Sequence, residues 1–177
     1  RVAKAAEFLH AMLDESGGVP NYGPNDGAMV LPLTSCDYKD YRPTVQAACW
    51  GASGRRPLGA GPWDEMVLWL FGADAVSKGP LAGSSEDNAT LKGPASKCFD
   101  ESGYYTLRGE QGWAMIRCHT YRDRPGHVDM LHLDLWHRGV NVLRDSGTYK
   151  YYVPESPKLE KYFKDIAAHN SLQIGET

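Results

Sequence analysis

The 177-residue sequence predicts an α+β fold in which helices come first and an antiparallel sheet follows. Up to Phe71, apolar residues recur at helical spacing, whereas from Gly103 onward short runs alternate between apolar and polar side chains. Residues 74–100 lie between these two regions and are rich in Gly, Pro and Ser, which indicates a linker or a loosely paired entry strand. We therefore expect two successive segments, the second of them part of a β-sandwich.

Three helices are predicted in the first segment. Apolar side chains at helical spacing predict one over residues 1–15, ended by the glycines that begin at Gly17. The stretch that follows is too rich in Pro, Gly and Asn for regular structure. A second helix is predicted from about Arg42 to Ala52, with Pro43 in its first turn, and a third from about Pro62 to Phe71.

The second segment is predicted to be built from short strands. Apolar and polar residues alternate along His127–Trp136, which places His132 and Asp134 on one face and Leu133 and Leu135 on the other. Arg138-Gly139 predicts a tight turn that returns the chain antiparallel. The predicted strands are 104–107, 113–118, 127–136, 140–145 and 171–174.

Composition excludes several classes of protein. The formal net charge of −3 does not favour a nucleic-acid partner or an anionic membrane surface. No apolar run approaches the roughly 20 residues that span a bilayer. The four cysteines form no C-x-x-C pair, so we expect free, buried thiols rather than a zinc knuckle. Because the first residue is Arg1 and not Met, we expect the chain to start inside a larger protein.

Histidines and aspartates are concentrated in residues 124–152 and recur at His169. Imidazole and carboxylate together suit a divalent ion such as zinc. Spacing leaves the ligand set open. If Arg138-Gly139 is a two-residue hairpin loop, His132 faces Asp145, and the triad is His132, Asp145 and His169. Alternatively, His127 from the preceding loop joins Asp145 and His169, or His132 and Asp145 form a cross-strand pair without metal.

One run of residues carries a family resemblance. The pattern G-H-x-D-x-L-H-x-D-L-W-x-x-G-x-N-x-x-x-D-x-G-T-Y, followed by A-H-N-S-L, resembles the β-sandwich of heparinase II/III-like lyases. Upstream, Y-G-x-N-D-G and D-Y-R-P are similar to the end of the helical toroid of that family. The resemblance implies that residues 1–76 are the C-terminal helices of an (α/α) toroid. It implies that residues 77–177 are an antiparallel β-sandwich segment.

The resemblance also implies a zinc ion held by His127, Asp145 and His169, so we prefer His127 to His132 as the third ligand. It implies β-elimination at a uronic acid, in which a base removes the C5 proton and an acid protonates the leaving oxygen. The family takes these groups, a Tyr and an Asn or His, from the toroid. We expect them upstream of Arg1, and we expect this chain alone to be inactive.

Several residues are candidates for substrate binding or catalysis. Where several family members have a second histidine, this chain has Pro125, and Arg124 is expected to contact a substrate carboxylate instead. Asn25, Asp26 and Arg42 are further substrate-binding candidates, although Asx turns and an Arg42–Asp40 pair would also explain them. Tyr162, in a Lys-rich loop before His169, is the one catalytic candidate within the chain.

Two other functions remain open from the sequence. One is a non-catalytic carbohydrate-binding or structural β-sandwich stabilised by a metal; the other is a zinc-dependent hydrolase, for which no glutamate stands in an evident position to act as base. The expected partners are an acidic polysaccharide or oligosaccharide and, in a homodimer, a second copy of the chain. The resemblance alone implies a periplasmic or secreted protein.

Overall fold

A computed structural model describes residues 1–21, 23–25, 27–77, 94–120, 126–150 and 154–175. The chain divides into two compact units, Arg1–Val19 with Met29–Ala95 and Pro20–Ala28 with Ser96–Thr177. The segment Pro20–Ala28 therefore belongs to the second unit, although it lies early in the sequence. Assignment of the units to a toroid and a sandwich stays a prediction. In the described part of the chain, no helix combines the length and apolar character needed to cross a membrane.

The three helices predicted for the first unit are confirmed, except that the first ends earlier and the third begins with a 3-10 turn. A fourth, short helix occupies the beginning of the region predicted as a linker. The first ends at Ala11 because the Asp14 carboxylate accepts the Ser16 N–H at 2.8 Å and Gly17 turns away with a φ of 93°. It packs against the second helix, and Ala6 and Ala11 are buried, as are Met12 and Leu13 just beyond its end. The unit comprises α1 (Val2–Ala11), α2 (Arg42–Ser53), a 3-10 turn (Pro62–Asp64), α3 (Glu65–Phe71) and α4 (Ala73–Ser77).

The second unit contains a five-stranded antiparallel sheet in which each strand pairs with the next along the chain. Strand β1 falls in the region predicted as a linker or entry strand. The two-residue turn Arg138-Gly139 is confirmed, with φ values of 49° and 76°. The strands are β1 (Lys97–Phe99), β2 (Tyr104–Arg108), β3 (Gly112–Arg117), β4 (His132–His137) and β5 (Val140–Leu143).

Three sequence predictions for the second unit are wrong. Strand β4 begins at His132 rather than His127, because the chain turns just before it. In this turn the Asp129 carbonyl oxygen accepts the His132 N–H, and Leu131 has a positive φ of 59°. Residues 171–174 form no strand. The stretch interpreted as a Lys-rich loop contains helix α5 (Pro157–Lys164), whose N-cap Ser156 accepts the Leu159 N–H.

One face of the sheet is buried and partly polar. The register places Thr106, Met115 and Asp134 side by side across β2, β3 and β4, and all three are at most 1% exposed. On the opposite face Leu107 and Val142 are mostly exposed. The alternation predicted for β4 therefore holds, and it turns His132 and Asp134 towards the buried side. The four cysteines are free, as predicted, but two of them are exposed and two only half-buried.

The turn at Gly103, between β1 and β2, supports a prediction about stability. Gly103 has a φ of 69°, and a Cβ there would overlap the carbonyl group of Cys118. We expect Gly103→Ala to lower the free energy of unfolding by about 2 kcal/mol or more. An alanine is strained at this positive φ, and the atoms that its Cβ would overlap belong to the backbone, which cannot move aside as a side chain can. Urea unfolding measures the change. The control is Gly109→Ala, where the Cβ would lie 3.6 Å from the Gly112 carbonyl oxygen, an ordinary contact. An equal loss of stability in the control would contradict the prediction.

Candidate metal centre

Four buried residues gather at the beginning of strand β4. They are His127, His132, Asp145 and His169, with exposed fractions of 2%, 0%, 1% and 8%. Each comes from a different part of the second unit. His127 lies in the loop before β4, His132 is its first residue, Asp145 follows β5, and His169 ends the 3-10 turn Ile166–Ala168.

Asp145 contacts two of the histidines through the same carboxylate oxygen. Its Oδ2 lies 2.8 Å from Nδ1 of His169 and 3.5 Å from Nδ1 of His132. Its Oδ1 accepts the Gly147 N–H at 2.6 Å, which fixes the carboxylate in the Asp-Ser-Gly turn. Donors around a tetrahedral zinc ion lie about 3.3 Å apart, given bonds of about 2.0 Å. One potential ligand atom from each of His132, Asp145 and His169 lies within 4.8 Å of the others, so this set has a suitable spacing.

His127 belongs to the same cluster. Its ring centroid lies 5.2 Å from that of His169, which in turn lies 6.1 Å from the ring of His132. Burial lowers the pKa of His127 and the neighbouring His169 lowers it further, while the charge of Asp145 acts in the opposite direction. The neutral imidazole is the form that binds a metal. Both triads considered from the sequence therefore lie in one cluster of four residues.

The cluster contains buried ring nitrogens that its own hydrogen bonds do not use. In the described part of the chain, Nε2 of His132 and Nε2 of His169 have no hydrogen-bond partner. Each such buried polar atom costs about 1–3 kcal/mol when it stays unsatisfied. Three imidazoles and one carboxylate are also a donor set that suits zinc and similar divalent ions. The residues present therefore fit a bound cation.

Charged and polar side chains on the buried face of the sheet support the cluster. Arg117 on β3 forms an ion pair with Asp129, which is fully buried in the turn before β4. Asp134, two residues beyond His132, accepts hydrogen bonds from Trp136 at 2.5 Å and from Asn141 at 3.4 Å. The Arg117–Asp129 pair was not predicted from the sequence. The alternation along β4 predicted only that His132, Asp134 and Trp136 share one face of the strand.

The early segment Pro20–Ala28 packs against the loop that carries Asp145. The Thr148 hydroxyl donates to the Gly23 carbonyl oxygen at 2.9 Å. Gly147 lies beside Asn21: a Cβ there would be 2.5 Å from the side-chain nitrogen of Asn21, and the positive φ of 76° itself favours glycine. Asn21 was also missed from the sequence, because nothing in the local pattern links it to a loop more than a hundred residues later.

The proposed substrate-binding residues occupy local roles where the structure describes them. Asn25 accepts the Gly27 N–H at 2.9 Å and donates to Asn21 at 3.3 Å, which is turn chemistry. Arg42 in the first unit pairs with Asp40 at 2.7 Å and stacks on Trp63. Tyr162 lies on α5 with 47% of its surface exposed. Asp26, Arg124 and Pro125 lie outside the described residues.

The comparisons with known proteins concern the second unit. Residues 91–177 match a family model described as heparinase II/III-like, C-terminal. The matched range contains all four residues of the cluster. No curated protein matches the chain.

Proposed function

Because residues 91–177 belong to the heparinase II/III-like family, we propose that this chain is the metal-holding part of a polysaccharide lyase. The substrate class is a uronic-acid-containing glycan and the reaction is β-elimination. The observation that carries the proposal is that Asp145 and His169 contact each other and lie buried beside two further histidines. We place the protein in the periplasm or outside the cell, where such polysaccharides are encountered.

The proposed cation is divalent, zinc being the best match to the donors. Asp145, His169 and a third residue, His127 or His132, would hold it. When bound, such an ion supplies a fixed positive charge that stabilises anionic oxygens and ties its ligands together. Asp145 contributes the negative charge that balances part of the cation, and the Gly147 N–H orients its carboxylate. The neutral state favoured for His127 is consistent with ligation.

A bound divalent cation would supply the positive charge that an acidic glycan needs at the cluster. The nearby side-chain cations are already paired with carboxylates, Lys164 with Glu160 at 2.6 Å and Arg117 with Asp129. β-Elimination at a uronic acid requires that the substrate carboxylate be neutralised before its α-proton becomes acidic enough to remove. A bound cation would favour that step, whereas a neutral glycan would gain nothing from it.

Metal content provides the first test. We expect the purified chain, after incubation with zinc and removal of excess, to retain about one zinc ion per molecule. His169→Ala should retain almost none, because it removes a ligand that contacts Asp145 at 2.8 Å. The matched control is His137→Ala, which removes an exposed histidine from the other end of β4. Equal zinc content in the wild type and His169→Ala would contradict the metal assignment.

Glycan binding and product chemistry provide the second test. We expect the zinc-loaded chain to bind alginate or heparan sulfate and not neutral dextran, measured by affinity electrophoresis. Any cleavage should create a conjugated double bond in a uronic acid, seen as new ultraviolet absorbance. Release of reducing ends without that absorbance would identify a hydrolase instead. Equal binding of dextran would favour a structural or general carbohydrate-binding domain.

A further inference from the structure

We propose that His132 is a positioning residue, which holds the backbone next to His169 and does not itself bind the cation. Its spacing to Asp145 and His169 suits a ligand, so the distinction depends on what its two ring nitrogens do. The part of this inference that concerns ligation rests on the proposed metal site. The part that concerns hydrogen bonding stands on the geometry of the chain alone.

The backbone of Asn170 is held at both of its polar groups by the beginning of β4. Its N–H donates to Nδ1 of His132 at 3.2 Å, and its carbonyl oxygen accepts the Leu133 N–H at 2.9 Å. On the other side, the His169 N–H donates to the Ile166 carbonyl oxygen at 3.1 Å. His169 is therefore fixed from both directions, and the His132 side chain forms one of these connections.

The hydrogen bond from Asn170 defines the tautomer of His132. A ring nitrogen that accepts an N–H carries no proton, so the proton of the neutral imidazole is on Nε2. Nε2 is buried and lies 3.9 Å from Oδ2 of Asp134, beyond hydrogen-bonding range but close enough for charge attraction. Asp134 is itself held by Trp136 and Asn141. The carboxylate is thus fixed where it favours this tautomer.

This tautomer leaves His132 without a lone pair for the cation. Nδ1 is the nitrogen that lies 3.5 Å from Asp145, and its single lone pair accepts the Asn170 N–H. Nε2 carries the proton, so the unpartnered ring nitrogen that supports a cation is Nε2 of His169 and not that of His132. The third ligand is therefore His127, whose ring lies beside that of His169. Residues that orient metal ligands in this way affect affinity strongly without contacting the metal.

Two substitutions of His132 separate positioning from ligation. In His132→Asn, the side-chain oxygen can take the place of Nδ1 and accept the Asn170 N–H; in His132→Ala that acceptor is lost. We expect His132→Ala to weaken zinc binding about 10–100-fold in competition with a chelating dye, and His132→Asn to recover most of the loss. The visible spectrum of bound Co²⁺ should keep its bands in both variants, because the ligands are unchanged. His137→Ala is the control for loss of a histidine.

The opposite results would overturn the inference. Shifted Co²⁺ bands in His132→Asn, with an affinity as low as that of His132→Ala, would make His132 a ligand. If His132→Ala fails to fold, the Co²⁺ spectrum of His132→Asn still decides. If the wild type binds neither Zn²⁺ nor Co²⁺, the proposed function fails, while ¹⁵N NMR of the metal-free chain still tests the hydrogen bond. A proton on Nδ1 of His132 in that spectrum would refute the positioning role.

Discussion

Asp64→Ala is expected to lower the free energy of unfolding of the first unit by about 3–5 kcal/mol, the range for breaking a buried ion pair from one side. Asp64 pairs with Arg56 at 2.8 Å, and the two side chains are only 9% and 5% exposed. Without the carboxylate, the buried guanidinium loses this counter-charge. Urea unfolding followed by tryptophan fluorescence measures the loss.

The loss of stability should be large because Asp64 also accepts hydrogen bonds from other parts of the first unit. Its Oδ1 accepts a hydrogen bond from the Gln46 side chain at 2.8 Å and its Oδ2 accepts the Gly61 N–H at 3.2 Å. Gln46, which is fully buried on α2, in turn accepts the Leu58 N–H at 3.0 Å. The substitution therefore removes hydrogen bonds from Gln46 and Gly61 together with the ion pair, which costs more than loss of the ion pair alone.

Two control variants separate these contributions. Asp64→Asn keeps the size and one acceptor oxygen but removes the charge, so its loss should be smaller than that of Asp64→Ala. Asp37→Ala removes an exposed carboxylate from the same unit and should change stability by less than about 1 kcal/mol. A loss for Asp64→Ala no greater than that for Asp37→Ala would show that the buried pair contributes little.

The helices and strands were predictable where a local pattern decides the structure. Residues 171–174 illustrate the limit: their composition favours a strand, yet Leu172 and Ile174 are 70% and 97% exposed. A strand needs a neighbour to pair with, and no local pattern supplies one. Helix α5 was missed although Ser156 and Pro157 form a start signal, because its lysines were interpreted as a loop.

The candidate site was predictable in part for the same reason. Asp145 and His169 could be identified from a turn and a motif, and the hairpin count brought His132 to Asp145. The count assumed a regular ladder, whereas the pairing of β4 with β5 shifts at Leu135/Trp136. The contact between His132 and Asp145 is present despite this shift, because it requires only that the two residues lie close together where the paired strands end. The Arg117–Asp129 pair and the Thr148–Gly23 bond depend on distant chain segments, which spacing alone does not reveal.

Zinc is expected to stabilise the second unit, and Asp145 is expected to be essential for that effect. A ligand at one hundred times its dissociation constant raises the free energy of unfolding by about 2.7 kcal/mol if it binds only the folded state. Asp145 joins the loop after β5 to His169 through Oδ2, so removing it should abolish the stabilisation. Thermal unfolding with and without zinc measures the shift, and Mg²⁺, which prefers all-oxygen sites, should produce none.

The choice of variant decides how clearly this result can be interpreted. Asp145→Ala also removes the acceptor of the Gly147 N–H, so it weakens the turn even without metal. Asp145→Asn retains an oxygen for that N–H but loses the charge that a cation requires. We therefore expect Asp145→Asn to unfold near the metal-free wild type and to show no shift with zinc. If zinc stabilises Asp145→Asn as much as the wild type, the carboxylate is not a ligand, and the ion is held without it. If zinc stabilises neither protein, the cluster is a set of buried hydrogen bonds.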